Sequence, residues 1–89
     1  MEKYEVFIKP SAVKEIDEIG LKKIRRQIVR RIQRLAEDPR PPHPKKLSGH
    51  DLYRIRQGAY RIVYSVEDDK LVVYVVKVGD RKDIYRGDL

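Results

Sequence analysis

Tyr53-Arg54-Ile55-Arg56-Gln57-Gly58-Ala59-Tyr60-Arg61-Ile62-Val63-Tyr64 is the stretch whose reading decides the fold. Both arms alternate with period two, and Gln57-Gly58 reads as a tight two-residue turn, so the segment is expected to form a β-hairpin. That turn pairs Arg56 with Ala59, Ile55 with Tyr60 and Arg54 with Arg61. Arg54, Arg56 and Arg61 then share one face, while Tyr53, Ile55, Tyr60, Ile62 and Tyr64 share the other. Like charges opposed across a sheet are destabilising. A small domain has little stability to spare, so the cluster implies an anionic ligand, with phosphate the first candidate.

The chain around this hairpin has 89 residues, which fits one domain (1–89) with a single modest core. Hydrophobic residues make up 40% and charged residues 39%. No stretch approaches the roughly 20 apolar residues that span a bilayer. Met1-Glu2-Lys3-Tyr4-Glu5 is charged with no apolar run behind it, so no secretory signal is expected. Cysteine is absent, which removes disulfides and thiolate metal sites and points to the cytoplasm. The net charge of +7 and pI near 9.8 favour RNA, DNA or an acidic protein as partner and no membrane.

Tyr4 to Lys9 looks like a first strand ended by Pro10. Ser11 is a plausible N-cap for a short helix with Val13, Ile16 and Ile19 on its apolar side, stopped by Gly20. Glu15, Asp17 and Glu18 are placed on its solvated part. A longer helix is predicted from about Leu21 to Glu37, since Leu21, Ile24, Ile28, Ile32 and Leu35 recur every three to four residues. Its other positions carry Lys22, Lys23, Arg25, Arg26, Arg30, Arg31 and Arg34, either a solvated face or a landing surface for phosphates. Asp38-Pro39-Arg40-Pro41-Pro42-His43-Pro44 must be a stiff, extended connector. Lys45-Lys46-Leu47 then leads into a polar turn, Ser48 to Asp51. Strands follow over Leu52–Arg56, Ala59–Glu67 and Lys70–Val78, with Glu67 to Lys70 as the second hairpin turn. The last strand, apolar from Leu71 to Val76, is expected to be central and covered on both faces, with Gly79 breaking it. The order β-α-α-β-β-β is an α+β fold: two helices on one face of a mainly antiparallel sheet, arginines on the other.

The chemistry on offer is narrow. His43 and His50 lack the spacing and carboxylate partners of a metal site and read as loop residues, so neither a metal nor a cofactor is expected. No glycine-rich phosphate loop or nucleophile elbow occurs. RNA cleavage needs none of these, because the 2′-OH beside the scissile phosphate is an internal nucleophile. Arginines on a rigid sheet can orient the attack and stabilise the developing charge, since guanidinium binds phosphate oxygens bidentately. Tyr85 could stack on a base, hydrogen-bond a phosphate, or cap the edge of the core.

Taken together, Tyr4 to Ile8 with Pro10-Ser11-Ala12, Lys46-Leu47, Tyr53 to Arg56, Gly58 to Tyr64 and Val78-Gly79-Asp80-Arg81-Lys82-Asp83-Ile84-Tyr85-Arg86 resemble the RelE/ParE superfamily of toxins from toxin–antitoxin pairs. The resemblance covers nearly the whole chain and implies a RelE-like fold similar to microbial RNases. For the RelE branch it implies a ribosome-dependent, metal-independent mRNA endonuclease acting in the A site. The catalytic positions it implies are Arg54, Arg56, Arg61, Arg81 and Tyr85. Arg61 and Arg81 would stabilise the phosphate transition state and the departing 5′-oxygen, and Tyr85 would orient the substrate. Some relatives carry lysine at the positions of Arg54 and Arg56. Arginine does not readily deprotonate, so electrostatic activation of the 2′-OH, or a base from ribosomal RNA, is the expectation here. Lys22, Arg26, Arg30, Lys45, Lys46 and Lys82 form the candidate RNA- and ribosome-binding set. With the chain ending at Leu89, Tyr85 is placed in a short tail and no long C-terminal helix is expected.

Two other functions fit parts of the pattern: a ParE-like inhibitor of DNA gyrase, and a non-catalytic nucleic-acid-binding module. Arg61, Arg81 and Tyr85 together favour the nuclease. The resemblance further implies an acidic, partly disordered RelB-like antitoxin, held in a heterodimer or heterotetramer.

Overall fold

In the computed structural model, which describes residues 3–39, 45–46 and 52–80, seven elements follow one another. They are β1 (Glu5–Ile8), α1 (Pro10–Asp17), α2 (Lys22–Arg34), β2 (Lys45–Lys46), β3 (Leu52–Gln57), β4 (Tyr60–Glu67) and β5 (Val72–Asp80). The strands form one sheet in the order β1-β5-β4-β3-β2. β1 runs parallel to β5 and every other pairing is antiparallel. The predicted α+β order holds, with one addition: Lys45–Lys46 forms a strand where no period-two pattern could announce it, being two residues long.

Both helices bury one stripe against the same sheet face. Ala12, Ile16 and Ile19 from α1 and its exit, and Ile28, Ile32 and Leu35 from α2 and its end, meet Ile55, Ile62, Tyr64, Val73, Val75 and Val78. Truncating a fully buried residue such as Ile28 to alanine would cost about 2–5 kcal/mol. Tyr64 is fully buried, stacks on Tyr53 at 5.8 Å, and donates its hydroxyl to the Pro39 carbonyl at 2.7 Å. That bond fastens the exit of α2 to the sheet. The rest of the proline-rich connector, the Ser48–Asp51 turn and the tail from Arg81 lie outside the described residues.

Several sequence expectations need correction. Ser11 does not cap α1; Lys9 occupies the N-cap and makes no side-chain capping bond, while Pro10 begins the helix. Proline suits that position because its missing N–H would have no intrahelical acceptor there. Starting at Pro10 turns the buried stripe to Ala12 and Ile16, leaving Val13 42% exposed. The longer helix spans Lys22–Arg34 and unwinds through turns to Glu37. Leu21 stands outside it as N-cap and is 68% exposed rather than buried. Gly79 does not break β5, which continues to Asp80 because β4 supplies partners that far, Tyr60 pairing with Asp80. Nor is β5 covered on both faces: it lies between β1 and β4, but Tyr74 emerges on the face away from α1 and α2 at 39% exposure.

Candidate functional site

The β3–β4 hairpin carries the site, and its turn is Gly58-Ala59, one residue later than expected. Gln57 stays in β3 and pairs with Tyr60. Gly58 has φ of +60°, the left-handed region that a two-residue hairpin turn needs and glycine enters freely. Centring the turn on glycine shifts the pairing by two residues. Arg56 therefore faces Arg61, Ile55 faces Ile62, and Arg54 faces Val63. A two-residue shift preserves the alternation, so Arg54, Arg56 and Arg61 still share the face away from the helices.

The three arginines differ sharply in environment. Arg56 is exposed, and its Nε donates to the Gly58 carbonyl at 3.3 Å. Arg54 is half-buried. Arg61 is only 7% exposed, and among the described residues its Nη1 has no hydrogen-bond partner. On the other side of β4, its register partner in β5 is Gly79, so no side chain opposes it there. A buried donor without a partner costs about 1–3 kcal/mol, and opposed like charges cost roughly 0.2–1 kcal/mol more. The site is thus a desolvated guanidinium with an unused donor, facing a second guanidinium across the hairpin. An anion would relieve both penalties, and attraction to it is stronger in such a partly dry setting than in water.

Of the other candidates, Lys45 pairs with Arg54 and Lys46 with Tyr53, which places the backbone of β2 beside the hairpin. Lys22, Arg26 and Arg30 are exposed on α2. They lie with the helix layer, on the opposite side of the sheet, and line a shallow depression between α1 and α2 together with Ile16 and Val29. They are a separate basic surface. Arg25 on the same helix is diverted, donating from Nη1 to the Ile19 carbonyl at 2.9 Å and closing the end of α1. Arg81, Lys82 and Tyr85 lie outside the described residues.

One participant was missed. Glu15, assigned to solvent from the sequence, is half-buried: its Oε1 accepts the Val78 amide at 2.9 Å and its Oε2 accepts Lys77 Nζ at 3.1 Å. A lone lysine within the otherwise apolar run Leu71 to Val78 was the available signal, because a charge there needs a partner.

Comparisons with known proteins place this architecture in a class of toxins. The family model for the ParE toxin of type II toxin–antitoxin systems matches residues 6–85, so the chain belongs to the RelE/ParE superfamily of toxins. Among characterised relatives, the chain is 36% identical over 78 residues to the mRNA interferase toxin RelE of Escherichia coli, covering 83% of this chain and 81% of that protein. Its fold is similar to the toxin in the intact E. coli RelBE toxin–antitoxin complex, with a TM-score of 0.74, 35% identity, and coverage of 86% and 95%. An archaeal RelE–RelB complex from Pyrococcus horikoshii is comparably close, with a TM-score of 0.75, 30% identity, and coverage of 88% and 94%.

Proposed function

We propose that this toxin is an endoribonuclease that cleaves mRNA on the ribosome and so arrests translation. The observation that carries the reading is Arg61, buried with an unused donor and set opposite Arg56. A phosphodiester is an anion suited to this place. In the proposed reaction the 2′-oxygen attacks the adjacent phosphorus and the bond from phosphorus to the 5′-oxygen breaks. The 2′-OH loses a proton and the departing 5′-oxygen gains one, leaving a cyclic phosphate and a free 5′-OH. Arg61, with Arg81 from the tail, stabilises the charge growing on the phosphate, and Arg54 and Arg56 bind and activate the attacking side. Tyr85 orients the substrate by stacking. None of the arginines is a general base, so the proton passes to a group the ribosome contributes. That division of labour is why the ribosome is required, with Lys22, Arg26, Arg30, Lys45, Lys46 and Lys82 contacting its RNA.

Such a toxin acts in the cytoplasm and needs masking. The proposed partner is an acidic RelB-like antitoxin, in keeping with the complexes in which its structural relatives occur and with a net charge of +7. The decisive experiment adds purified toxin to ribosomes carrying a defined mRNA and maps the cut, with the same RNA free in solution alongside. Cleavage of the ribosome-bound message with little attack on free RNA is expected. Equal cleavage of both would remove the ribosome from the mechanism. The ParE character of the matched family makes gyrase inhibition the second reading, and a supercoiling assay run in parallel decides between them.

A further inference from the structure

We propose that Glu15 is a positioning residue for the arginine site, clamping the far end of β5 so that Gly79 stays opposite Arg61. The proposal rests on the nuclease reading for its consequence, though not for its geometry.

β5 has nine residues, but β1 pairs with only Val72 to Val75. Beyond that point the chain of β1 has turned at Pro10 into α1, and among the described residues Val76 to Asp80 have a strand neighbour on the β4 side alone. A disturbance falls at the same place. Val63 pairs with Lys77 and Tyr64 with Val75, leaving Val76 as an extra residue on β5. Such a bulge bends and twists its strand and commonly re-aims side chains beside a functional site. A bulged strand end with one open edge should fray.

Glu15 prevents this by standing where the next strand would be. Its Oε1 takes the Val78 amide at 2.9 Å, a charge-assisted bond stronger than a strand carbonyl offers. Its Oε2 takes Lys77 at 3.1 Å. Ala12 and Ile16, both buried, fix the helix from which Glu15 reaches. The clamp therefore spans the bulge and secures the pairs Ile62–Val78, Arg61–Gly79 and Tyr60–Asp80. Lys77 has a second part in this: it balances the carboxylate, so the clamp adds no net negative charge to a strand that borders a phosphate site.

The test uses the full chain, ribosomes carrying a defined mRNA, and amide exchange by NMR. Glu15→Ala should lower kcat roughly 10- to 100-fold, the effect of a small misplacement at a reacting centre. KM for the ribosome complex should not change, and exchange should quicken at Val78 and Gly79 while the core amides stay protected. The double variant Glu15→Gln with Lys77→Met keeps the acceptor and removes both charges, and it should restore kcat. Unchanged kcat in Glu15→Ala, a change in KM alone, or a double variant as slow as Glu15→Ala would each overturn the proposal. If Glu15→Ala does not fold, Glu15→Asp, one methylene too short to reach, replaces it with the same expectations. If the wild type cleaves nothing, the nuclease reading falls. The exchange data then decide the clamp alone: selective exchange at Val78 and Gly79 upholds it and unchanged exchange rejects it.

Discussion

Two groups of basic residues in this molecule carry the same charge at very different cost. Along α2, Lys22, Lys23, Arg26, Arg30 and Arg34 point into water. There each charge is hydrated, screened within about 8 Å at physiological salt, and nearly neutral for stability. On the sheet, Arg61 is almost wholly buried, keeps an unused donor, and faces Arg56. Folding works against that arrangement, and a bound anion would offset it. Strain held at one place in an otherwise consistent fold is expected where function is located. The exposed helix can contribute attraction at a distance; the buried Arg61, with Arg56 opposite it, can contribute chemistry.

Replacing Arg61 gives the largest expected effect. Arg61→Met keeps most of the apolar stem and removes the charge. Cleavage on the ribosome should slow roughly 10²- to 10³-fold, the usual loss for one charge-stabilising group. Stability should move the other way. Removing an unsatisfied donor and one member of an opposed pair should add about 1–3 kcal/mol, read as a higher urea midpoint at unchanged slope. An inactive variant that is also less stable would mean that Arg61 holds the fold together. The contrast between the two basic groups would then collapse.

Arg56→Met comes next. Arg56 is exposed, so no desolvation is recovered, and stability should rise only by the relieved repulsion, roughly 0.2–1 kcal/mol. Activity should fall less than for Arg61→Met. Equal losses would show that the two guanidinium groups act as one unit, which the double variant would confirm by costing no more than either single change.

How much of this was legible beforehand differs between the same two regions. The faces of the hairpin were readable because strand alternation survives a two-residue slip, so Arg54, Arg56 and Arg61 were grouped correctly even though their partners were not. The slip arose because Gly58 can occupy either position of a two-residue turn, and nothing local decides between Gln57-Gly58 and Gly58-Ala59. Burial of Arg61 was not legible at all, since it depends on what three strands and their neighbours place around it. Helix periodicity correctly selected Ile28, Ile32 and Leu35, but failed at Leu21, where the helix had not yet begun. Glu15 was invisible because its partners, Lys77 and Val78, lie more than sixty residues away in sequence.

The helix side of the contrast is tested by salt. Neutralising Lys22, Arg26 and Arg30 together to glutamine should leave cleavage at saturating ribosome concentration unchanged and weaken binding. The slope of log affinity against log salt should flatten by roughly 0.7 for each phosphate no longer neutralised, so by about 2 if all three side chains engage single-stranded RNA. An unchanged slope would return these residues to the status of a solvated face.

The smallest effect expected is that of Arg30→Gln alone on stability. Arg30 is exposed near the middle of α2, glutamine is nearly as good a helix former, and the core packing is left as it was. The change in unfolding free energy should stay within about 0.5 kcal/mol, against the larger gain expected at Arg61. The helix is densely basic, with Arg26, Arg31 and Arg34 at nearby turns, so the sign should be a slight stabilisation as one repulsion is removed. Raising the salt should erase even that, because screening acts on exposed charges first. A drop larger than about 1 kcal/mol would show that Arg30 is held by a specific partner, well outside the range of an ordinary surface change. The view of α2 as a freely hydrated cationic face would then fail at that position.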